Sequence, residues 1–380
     1  MTQSDIAVRR VETKADFRQF IRLPREIYAG MPGFSPRLDM EQAGLLDKKK
    51  APFFTHGRAE YWLAFRGGRP VGRISAQIDD LVAEYQDEPY GMFGCLDAVD
   101  SAAVVGALAA AAEAWLKAEG QSLVRGPFSP TIIDECGLLV EGQDAPASTM
   151  LNWAPAYLAG HLAAHGYGVA KKLVNYRMAL SQNRDHDHAG ALRKRRRPAD
   201  LTLRALDRKR LAADGELIRQ IYNDAWAGNW GFVPITEAEM SHTVKELGPL
   251  LLDGWGVFAE YRGETVGCAL IVPNLAEISA DLGGRLLPFQ WVQFLFSAMR
   301  RRYRSGRVIL LGVRSATRGT ILAASLPLIM IDELFNRSHA WSFVDIEMGW
   351  VLEDNRAIAA IIERVGGKVD RTFALFEKAL

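Results

Sequence analysis

Two adjacent carboxylates, Asp134 and Glu135, lie in a segment that is bracketed by glycine and proline and is otherwise mostly apolar, between Gly126 and Gly142. A carboxylate in an apolar cleft has a raised pKa, which suits a general base that takes a proton from an ammonium group. Acylation of an amine needs such a base. Glu135 and Asp134 are therefore candidate catalytic residues, and the alternative is a structural role as hydrogen-bonded loop carboxylates.

A second group of candidate residues combines aromatic rings with side-chain amides, which suits an amphiphilic ligand. These candidate substrate-binding residues are Trp226, Asn229, Trp230, Phe232 and Trp291. Core packing is the alternative for the loop that holds the first four. Trp291 belongs to the apolar segment 286–299, which is followed by the arginine-rich run 300–304. Three interpretations of this segment remain open: a core helix, a wall for a long acyl chain, or an interfacial helix with arginines at lipid head groups.

Composition limits the classes of protein to which this chain can belong. With 380 residues, of which 49% are apolar and 24% are charged, the chain has enough material for two globular cores. It carries 46 Lys and Arg residues against 45 Asp and Glu residues, a formal net charge of +1. A chain so close to neutral has no global electrostatic attraction to nucleic acid, so we expect no nucleic-acid partner.

The cysteines and the N-terminus indicate a cytoplasmic protein. Cys95, Cys136 and Cys268 form no CxxC pair, which argues against a disulfide framework and a structural zinc site. Asp185–His188 reads as an exposed polar loop rather than a metal site, so no bound metal is expected. The N-terminus has no apolar signal region, and no stretch reaches the roughly 18 apolar residues that span a bilayer. We expect a soluble protein or one in peripheral contact with the inner membrane.

The two halves of the sequence repeat one pattern. Residues 61–76 and 257–272 each read as a strand, a tight turn containing glycine and a second strand, the signature of an antiparallel hairpin. Each half then ends in a helix and a strand, with Asn152 and Asn355 as predicted N-caps and Gly166 and Gly366 as predicted helix stops. Chance similarity between two ordinary strand–helix–strand pieces is the alternative.

A polar connection separates the two halves. It includes the charged segment 181–190 and the basic run Arg193–Arg197. This composition is typical of an exposed linker. The more specific alternative for the basic run is a binding site for lipid head groups or coenzyme phosphates. We place the domain boundary near residue 190, which predicts domains at 1–190 and 191–380.

The second half resembles a GNAT (GCN5-related N-acetyltransferase) domain. A strand at Leu201–Leu206, a helix at Leu211–Trp226, the hairpin, the segment Val308–Leu326 and the segment Asp345–Asn355 follow one another in the order of that fold. The first half resembles the fold less closely. The resemblance implies an α/β (α+β) fold with two tandem GNAT-like domains, each a mixed twisted sheet flanked by helices.

In GNAT enzymes the coenzyme A diphosphate binds at Arg/Gln-x-x-Gly-x-Gly/Ala after a strand that ends in Val. Here Arg318 takes the first position and Ala323 the last, whereas Ile321 stands where the central glycine is expected. A helix N-terminus offers free N–H groups and a positive dipole end to a phosphate. A strand–helix turn without a ligand is the alternative. The candidate acyl-CoA-binding residues are Val313, Arg314, Arg318, Gly319, Thr320, Ala323 and Asn355.

The segment after Asp345 is the most specific part of the resemblance. In GNAT enzymes two parallel strands separate there, and the gap admits the pantetheine arm on one side and the acceptor amine on the other. The resemblance implies that Glu347, a third candidate catalytic residue, lies on the acceptor side and Asn355 near the pantetheine. A tyrosine that often acts as general acid has no counterpart, because Ile361 and Ile362 stand in that region.

Across nearly its full length the chain is similar to a group of bacterial GNAT-like proteins that includes the ceramide synthases. This implies an N-acyltransferase that uses acyl-CoA as co-substrate, binds no permanent cofactor and acylates a small or lipid amine, such as a sphingoid base. Two alternatives remain. One is a GNAT-like protein that binds a ligand without turnover, which Ile321 favours. The other is an aminoacyl-tRNA-dependent transferase, which the near-neutral charge disfavours.

Overall fold

The computed structural model describes residues 6–180, 198–248, 251, 253–279, 282–285, 289–299, 303–340 and 343–380. The chain divides into two compact units. The first comprises Met1–Leu173, Ala276–Met299 and Arg371–Leu380, and the second comprises Val174–Leu275 and Arg300–Asp370. The boundary proposed near residue 190, the segment Asp185–His188 and the basic run Arg193–Arg197 all lie outside the described residues.

Strands and helices alternate along the described parts of the chain. The strands are β1 (Ile6–Arg10), β2 (Gly57–Arg66), β3 (Arg69–Asp79), β4 (Gly91–Ala98), β5 (Leu123–Gly126), β6 (Leu138–Glu141), β7 (Gly168–Ala179), β8 (Leu201–Ala205), β9 (Gly256–Tyr261), β10 (Glu264–Pro273), β11 (Ser305–Val313), β12 (Asp345–Leu352) and β13 (Lys368–Ala379). The helices are α1 (Lys14–Ile27), α2 (Asp39–Leu46), α3 (Asp80–Tyr85), α4 (Ala102–Ala118), α5 (Tyr157–Ala164), α6 (Leu211–Ala225), α7 (Glu237–Leu247), α8 (Ala276–Ser279), α9 (Gln290–Met299), α10 (Ile321–Ala340) and α11 (Arg356–Arg364).

The sheet of the first unit has the order β1-β2-β3-β4-β5 and is completed by β13 from Arg371 onward. Only β4 and β5 run parallel among these neighbours, and β6 pairs with β13 as well. Helices α1 and α4 pack against β3. Phe20 and Leu23 of α1 are fully buried in the resulting core, where Leu63 of β2 meets them.

The sheet of the second unit has the order β7-β12-β11-β10-β9-β8, with β7 contributing from Val174 onward. β11 and β12 are parallel, and the pairs among β8, β9, β10 and β11 are antiparallel. Its core contains Trp255, Met330 of α10 and Ile346 of β12. Each unit thus takes one strand from beyond its own half of the sequence, β13 in the first and β7 in the second.

The repeated hairpins predicted from the sequence are confirmed as β2–β3 and β9–β10. Two-residue loops connect their strands, Gly67-Gly68 in the first and Arg262-Gly263 in the second. All four residues have positive φ, at 55°, 76°, 53° and 86° in that order. Such a turn matches the right-handed twist of the flanking strands, and glycine adopts it without a Cβ clash.

Two asparagines were predicted to cap helices, and only one of them does so. Asn355 caps α11, since its Oδ1 accepts a hydrogen bond from the Ile358 N–H at 3.3 Å. The prediction for Asn152 was wrong, because α5 begins only at Tyr157 and Ala156 stands before it. Four residues of separation keep the Asn152 side chain from the first-turn N–H groups, and its Oδ1 instead accepts from Arg37 Nη1 at 3.4 Å.

Candidate active site

The two parallel strands of the second unit separate part-way along their length. β11 and β12 pair from Ser305 and Asp345 to Val308 and Met348, and both strands continue beyond that last pair. A β-bulge between β10 and β11 leaves Ile309 as the extra residue directly after Val308. A bulge bends its strand and increases the local twist. The bulge therefore gives a physical reason for the divergence of β11 from β12 at this point.

The loop after β11 leads into the N-terminus of α10. Gly319 has a φ of +78°, and open space surrounds the position where a Cβ would stand. Thr320 caps the helix, since its Oγ1 accepts from the Ala323 N–H at 3.1 Å. The next two N–H groups, of Ile321 and Leu322, belong to the first turn of the helix and have no intrahelical acceptor. These groups and the helix dipole make this end of α10 suited to an anion.

Two arginines flank this loop, and neutral oxygens hold both of them. Arg314 donates from Nε to the Thr265 carbonyl at 2.8 Å and from Nη2 to Gln220 Oε1 at 3.2 Å. Arg318 donates from Nη2 to the Ala225 carbonyl at 3.3 Å. Neutral acceptors orient a guanidinium without neutralising its charge, and the two arginines together outweigh the nearby carboxylate of Asp224, so the loop keeps a net attraction for anions.

Asp224, at the end of α6, fixes the start of the loop. Its carboxylate accepts hydrogen bonds from the Ser315 N–H at 2.5 Å and from the Ser315 hydroxyl at 2.6 Å. Burial by itself would raise the pKa of Asp224, but the Ser315 hydrogen bonds and the charges of Arg314 and Arg318 lower it below the ordinary value of 3.8. The folded loop therefore stabilises the ionised form of this carboxylate.

This lowered pKa predicts an acid-dependent stability for the second unit. Because the folded pKa lies below the unfolded one, the stabilisation is complete above the ordinary pKa and is lost as the pH falls through the folded pKa. We expect Asp224→Asn to lower the urea unfolding midpoint at neutral pH and the difference from the parent to shrink in acid. Asp200→Asn, which removes the exposed pair with Arg262, is the control. A constant difference at every pH would contradict this prediction.

A buried ion-pair network lies where β11 and β12 separate. Glu347 is 1% exposed and forms an ion pair with Arg177 of β7. Arg177 also donates from Nε to Asp370 Oδ2 at 3.1 Å, and Asn175 donates to Asp370 Oδ1 at 2.8 Å. Burial alone would lower the pKa of Arg177, but Glu347, Asp370 and the nearby Asp345 raise it. One guanidinium therefore holds two carboxylates together.

A second buried guanidinium, that of Arg307, crosses from β11 to β12. Arg307 stands opposite Glu347 in the strand register and is only 2% exposed. Its Nη2 donates to the Gly349 carbonyl at 3.1 Å, and its guanidinium lies 4.8 Å from the centre of the Trp350 ring. Gly349 is the first residue of β12 beyond the last pair with β11. A cation–π contact and a hydrogen bond therefore hold the two strands at the start of the gap.

The aromatic loop predicted from the sequence packs beside the end of β11. Its candidate residues are Trp226, Asn229, Trp230 and Phe232. The Trp226 ring stacks on Tyr222 at 5.1 Å, and a Cβ on Gly312 would lie 2.6 Å from the Trp226 ring. Phe232 is buried and lies 5.9 Å from Tyr222. Trp226 and Phe232 thus belong to one aromatic cluster, which stands next to Val313 and the loop that follows it.

The remaining candidates belong to the first unit. Glu135 forms an ion pair with Arg37, and Asp134 Oδ2 accepts from the Thr131 hydroxyl at 2.8 Å. Trp291 lies on α9, where 48% of its surface is exposed. Glu135 and Asp134 therefore have structural partners within their own unit, while Glu347 has its partners in the second unit.

The parallel strands of the first unit also separate, but a segment of the same unit occupies the space. β4 and β5 pair at only two positions, the last of which is Met92 with Arg125. Beyond it, the Phe128 N–H donates to the Phe93 carbonyl at 2.8 Å. Gln77 Nε2 donates to the carbonyls of Phe128 and Pro130 at 2.6 Å and 3.0 Å. The segment that follows β5 therefore runs along β4 and fills the space beyond the last pair.

Comparison with known proteins decides the family. No family model matches the sequence. The bacterial ceramide synthase of Caulobacter vibrioides is 37% identical to this chain over 381 residues, which cover 100% of this chain and 99% of that protein. The chain belongs to the tandem GNAT-like family that includes this ceramide synthase. Protein YghO of Escherichia coli is 35% identical over 377 residues, which cover 98% of this chain and 95% of that protein.

Solved structures confirm the predicted fold class of this family member. A tandem GNAT protein from the clavulanic acid biosynthesis pathway has a TM-score of 0.58 at 14% identity, covering 99% of this chain and 98% of that chain. A GCN5-related N-acetyltransferase from Sphaerobacter thermophilus has a TM-score of 0.53 at 14% identity, covering 98% and 95%. At such identities the likeness establishes the tandem GNAT fold only. Within the described residues, no helix combines the length and apolar character needed to cross a bilayer.

Three residues of the site in this tandem GNAT protein were not predicted from the sequence: Arg177, Arg307 and Asp224. Arg307 interrupts the otherwise apolar segment GRVILLGV, and Arg177 lies between Tyr176 and Met178 in a strand that also carries Lys171 and Lys172. A charged side chain in a buried strand is rare unless it is paired. The presence of an arginine in such a strand therefore indicates a buried ion pair or hydrogen bond. Asp224 offered no such signal, because its partner Ser315 lies 91 residues away.

Proposed function

We propose that this protein transfers an acyl group from acyl-CoA to the amine of an amphiphilic acceptor, such as a long-chain sphingoid base. The observation that carries the proposal is the separation of β11 and β12 after Val308 and Met348, directly before a loop and helix N-terminus suited to an anion. Membership of the family and the GNAT fold support N-acyltransferase activity in general. The ceramide synthase relative supports the acceptor class.

The diphosphate of acyl-CoA would bind at the N-terminus of α10. The diphosphate would be attracted there by the positive end of the helix dipole and by the loop N–H groups. The positive charges of Arg314 and Arg318 would add to this attraction. Gly319 and Thr320 shape the loop, and the small side chain of Ala323 permits close approach of the ligand. Val313 leads into the loop from β11, and Asn355, at the start of α11, would lie near the pantetheine.

In the proposed mechanism Glu347 accepts the proton of the amine. The amine nitrogen attacks the thioester carbonyl carbon, the C–N bond forms, the C–S bond breaks, and coenzyme A leaves as a thiolate. Water or another group protonates the thiolate, because Ile361 and Ile362 supply no acid. Backbone N–H groups along the gap would stabilise the oxyanion. Glu347 is favoured over Glu135 and Asp134, since it stands on β12 one position before the last pair with β11.

The aromatic cluster supports an acceptor that has an apolar body and a polar end. Trp226 and Phe232 supply rings to this cluster, and the same loop carries the ring of Trp230 and the amide of Asn229. The three cysteines are free thiols in the structure, which fits a reaction in the reducing cytoplasm. We propose that the protein works there, in peripheral contact with the inner membrane from which a lipid amine is drawn.

Ile321 provides a sharp test of the diphosphate site, because it is 92% exposed at the first position of α10. We expect Ile321→Asp to weaken coenzyme A binding about tenfold, since a carboxylate there repels the diphosphate. An acidic residue at a helix N-terminus does not destabilise the helix, so loss of folding would not explain the result. Ile321→Lys should strengthen binding. Calorimetry at low and high salt is the measurement, and equal affinities for both variants would contradict the site.

The activity itself is tested with purified protein, radiolabelled long-chain and short-chain acyl-CoA, and a panel of amines that includes sphinganine and its 3-keto form. We expect an N-acyl product that depends on acyl-CoA. Coenzyme A binding without any product would favour a ligand-binding protein. A product that appears only with aminoacyl-tRNA would favour the tRNA-dependent class. Either result would overturn the proposal.

A further inference from the structure

The carboxylate proposed as the base, Glu347, shares its arginine with a second carboxylate, Asp370. Arg177 forms an ion pair with Glu347 through Nη2, and its Nε donates to Asp370 Oδ2 at 3.1 Å. The three residues come from three strands, β7, β12 and β13, and all of them belong to the second unit. Glu347 is buried, and the side chains of Arg177 and Asp370 are largely shielded from solvent. Water therefore screens the charges of this group only weakly.

Positive charge close to Glu347 works against its use as a base. A guanidinium beside a carboxylate stabilises the ionised form and so lowers the affinity of the carboxylate for a proton. Arg177 contacts Glu347 directly, and Arg307 stands opposite it in the strand register. A general base has to take a proton from the substrate, so these two arginines need an opposing charge if Glu347 is to act in the proposed step.

Two other carboxylates supply that opposing charge. Asp370 accepts from Arg177 directly, whereas Asp345, two residues before Glu347 on β12, acts through its charge alone. Burial by itself would lower the pKa of Arg177, and the carboxylates of Glu347, Asp370 and Asp345 raise it. Of the two carboxylates besides Glu347, Asp370 therefore has the stronger hold on the guanidinium.

We propose that Asp370 is a positioning residue that keeps Glu347 a competent base by sharing the charge of Arg177. Its negative charge raises the proton affinity of Glu347, and its hydrogen bond to Nε fixes the guanidinium so that Nη2 meets Glu347. Asp370 acts through Arg177 and does not itself take part in proton transfer. The kinetic consequence rests on the proposed acyl transfer, whereas the effect on proton binding by Glu347 is a property of the protein alone.

The surroundings of Asp370 allow its charge to be removed with little disturbance. Asn175 is fully buried, and its Nδ2 donates to Asp370 Oδ1 at 2.8 Å. Among the described residues, the Asn175 Oδ1 has no hydrogen-bond partner. The variant Asp370→Asn would present an N–H group toward Asn175, and rotation of the Asn175 amide would let its oxygen accept it. The variant thus keeps a hydrogen bond between the two positions while the charge is lost.

The pH dependence of kcat tests the role of Asp370. We expect Asp370→Asn to move the acidic limb of the kcat profile by about one to two pH units toward lower pH, because Glu347 then holds its proton less tightly. The plateau should fall about tenfold, since a weaker base accepts the proton of the amine less readily. Calorimetry should give an unchanged affinity for coenzyme A.

The matched control is Asn175→Ala, which disturbs the same network without changing its charge. It should leave the acidic limb where the parent has it, even if stability falls. An unmoved limb in Asp370→Asn would contradict the inference. An equal shift in Asn175→Ala would also contradict it, because the effect would then come from packing and not from charge.

A measurement without substrate separates this inference from the proposed function. In protein labelled with carbon-13 at the side-chain carboxyl of glutamate, the signal that Glu347→Gln lacks belongs to position 347. In Asp370→Asn we expect this signal to stay at its ionised position at pH values where that of the parent has begun to move. Equal behaviour in both proteins would overturn the inference even if acyl transfer is intact. A shifted titration in a protein without acyl transfer would contradict only the proposed function.

Discussion

Replacement of Glu347 by Gln is expected to lower kcat by about 10²- to 10⁴-fold, the usual contribution of a general base. The amide keeps an oxygen that accepts from Arg177 but can no longer take a proton from the amine. Arg177 retains Asp370 as a charged partner, so the network and the fold should survive. Steady-state kinetics with a long-chain acyl-CoA measure the effect, and calorimetry should give an unchanged affinity for coenzyme A.

Glu135→Gln is the matched control for this prediction. Glu135 is also a shielded carboxylate in an ion pair with an arginine, Arg37, but it belongs to the first unit. We expect its replacement to leave kcat within a few-fold of the parent value. If Glu347→Gln keeps full turnover, or if Glu135→Gln alone abolishes it, the assignment of Glu347 as the base is wrong.

Replacement of Arg177 by Met is expected to destabilise the second unit by about 3–5 kcal/mol. Glu347, which is 1% exposed, would then remain buried without its guanidinium, and Asp370 would lose the same partner. The guanidinium does more than a simple positive charge, because it donates to both carboxylates at once. Urea unfolding followed by tryptophan fluorescence, to which Trp255 in the core of this unit contributes, measures the loss.

The double variant Arg177→Met/Glu347→Gln separates the ion pair from packing. Removal of both partners leaves no uncompensated charge at position 347, so we expect it to recover part of the stability lost by Arg177→Met. Arg177→Lys should lie between the parent and the Met variant. If Arg177→Met costs no more than an exposed pair such as Arg262 with Asp200, the buried network does not stabilise this unit.

Local chemistry explains the parts of the fold that were predicted correctly. The two hairpins were recognisable because alternating strands and a glycine-containing turn lie within sixteen residues of sequence in each half. The Asn355 cap followed from a contact only three residues away. The loop from Val313 to Ala323 is likewise continuous in sequence, so its residue types could be compared directly with a known pattern.

Long-range contacts decided the parts that were not predicted. The pairing of β5 with β13 joins Gly126 to Phe376, and no pattern within either strand specifies a partner 250 residues away. The occupation of the first gap by the segment at Phe128 depends on β4 and Gln77 in the same way. The ion pair of Glu135 with Arg37 and the exposure of Trp291 also come from the fold, because neither charge pairing with a distant residue nor burial is specified by local residue types.

By itself the sequence determined the tandem GNAT architecture, the repeated hairpins and the composition of the loop before α10. The tertiary structure alone decided that Glu347 shares Arg177 with Asp370, that Arg307 crosses to Gly349, and that Asp224 holds Ser315. Periodicity and turn chemistry act between near neighbours and are therefore readable along the chain. The ion pairs of the site join residues that are tens to hundreds of positions apart, and only folding brings them within hydrogen-bonding distance.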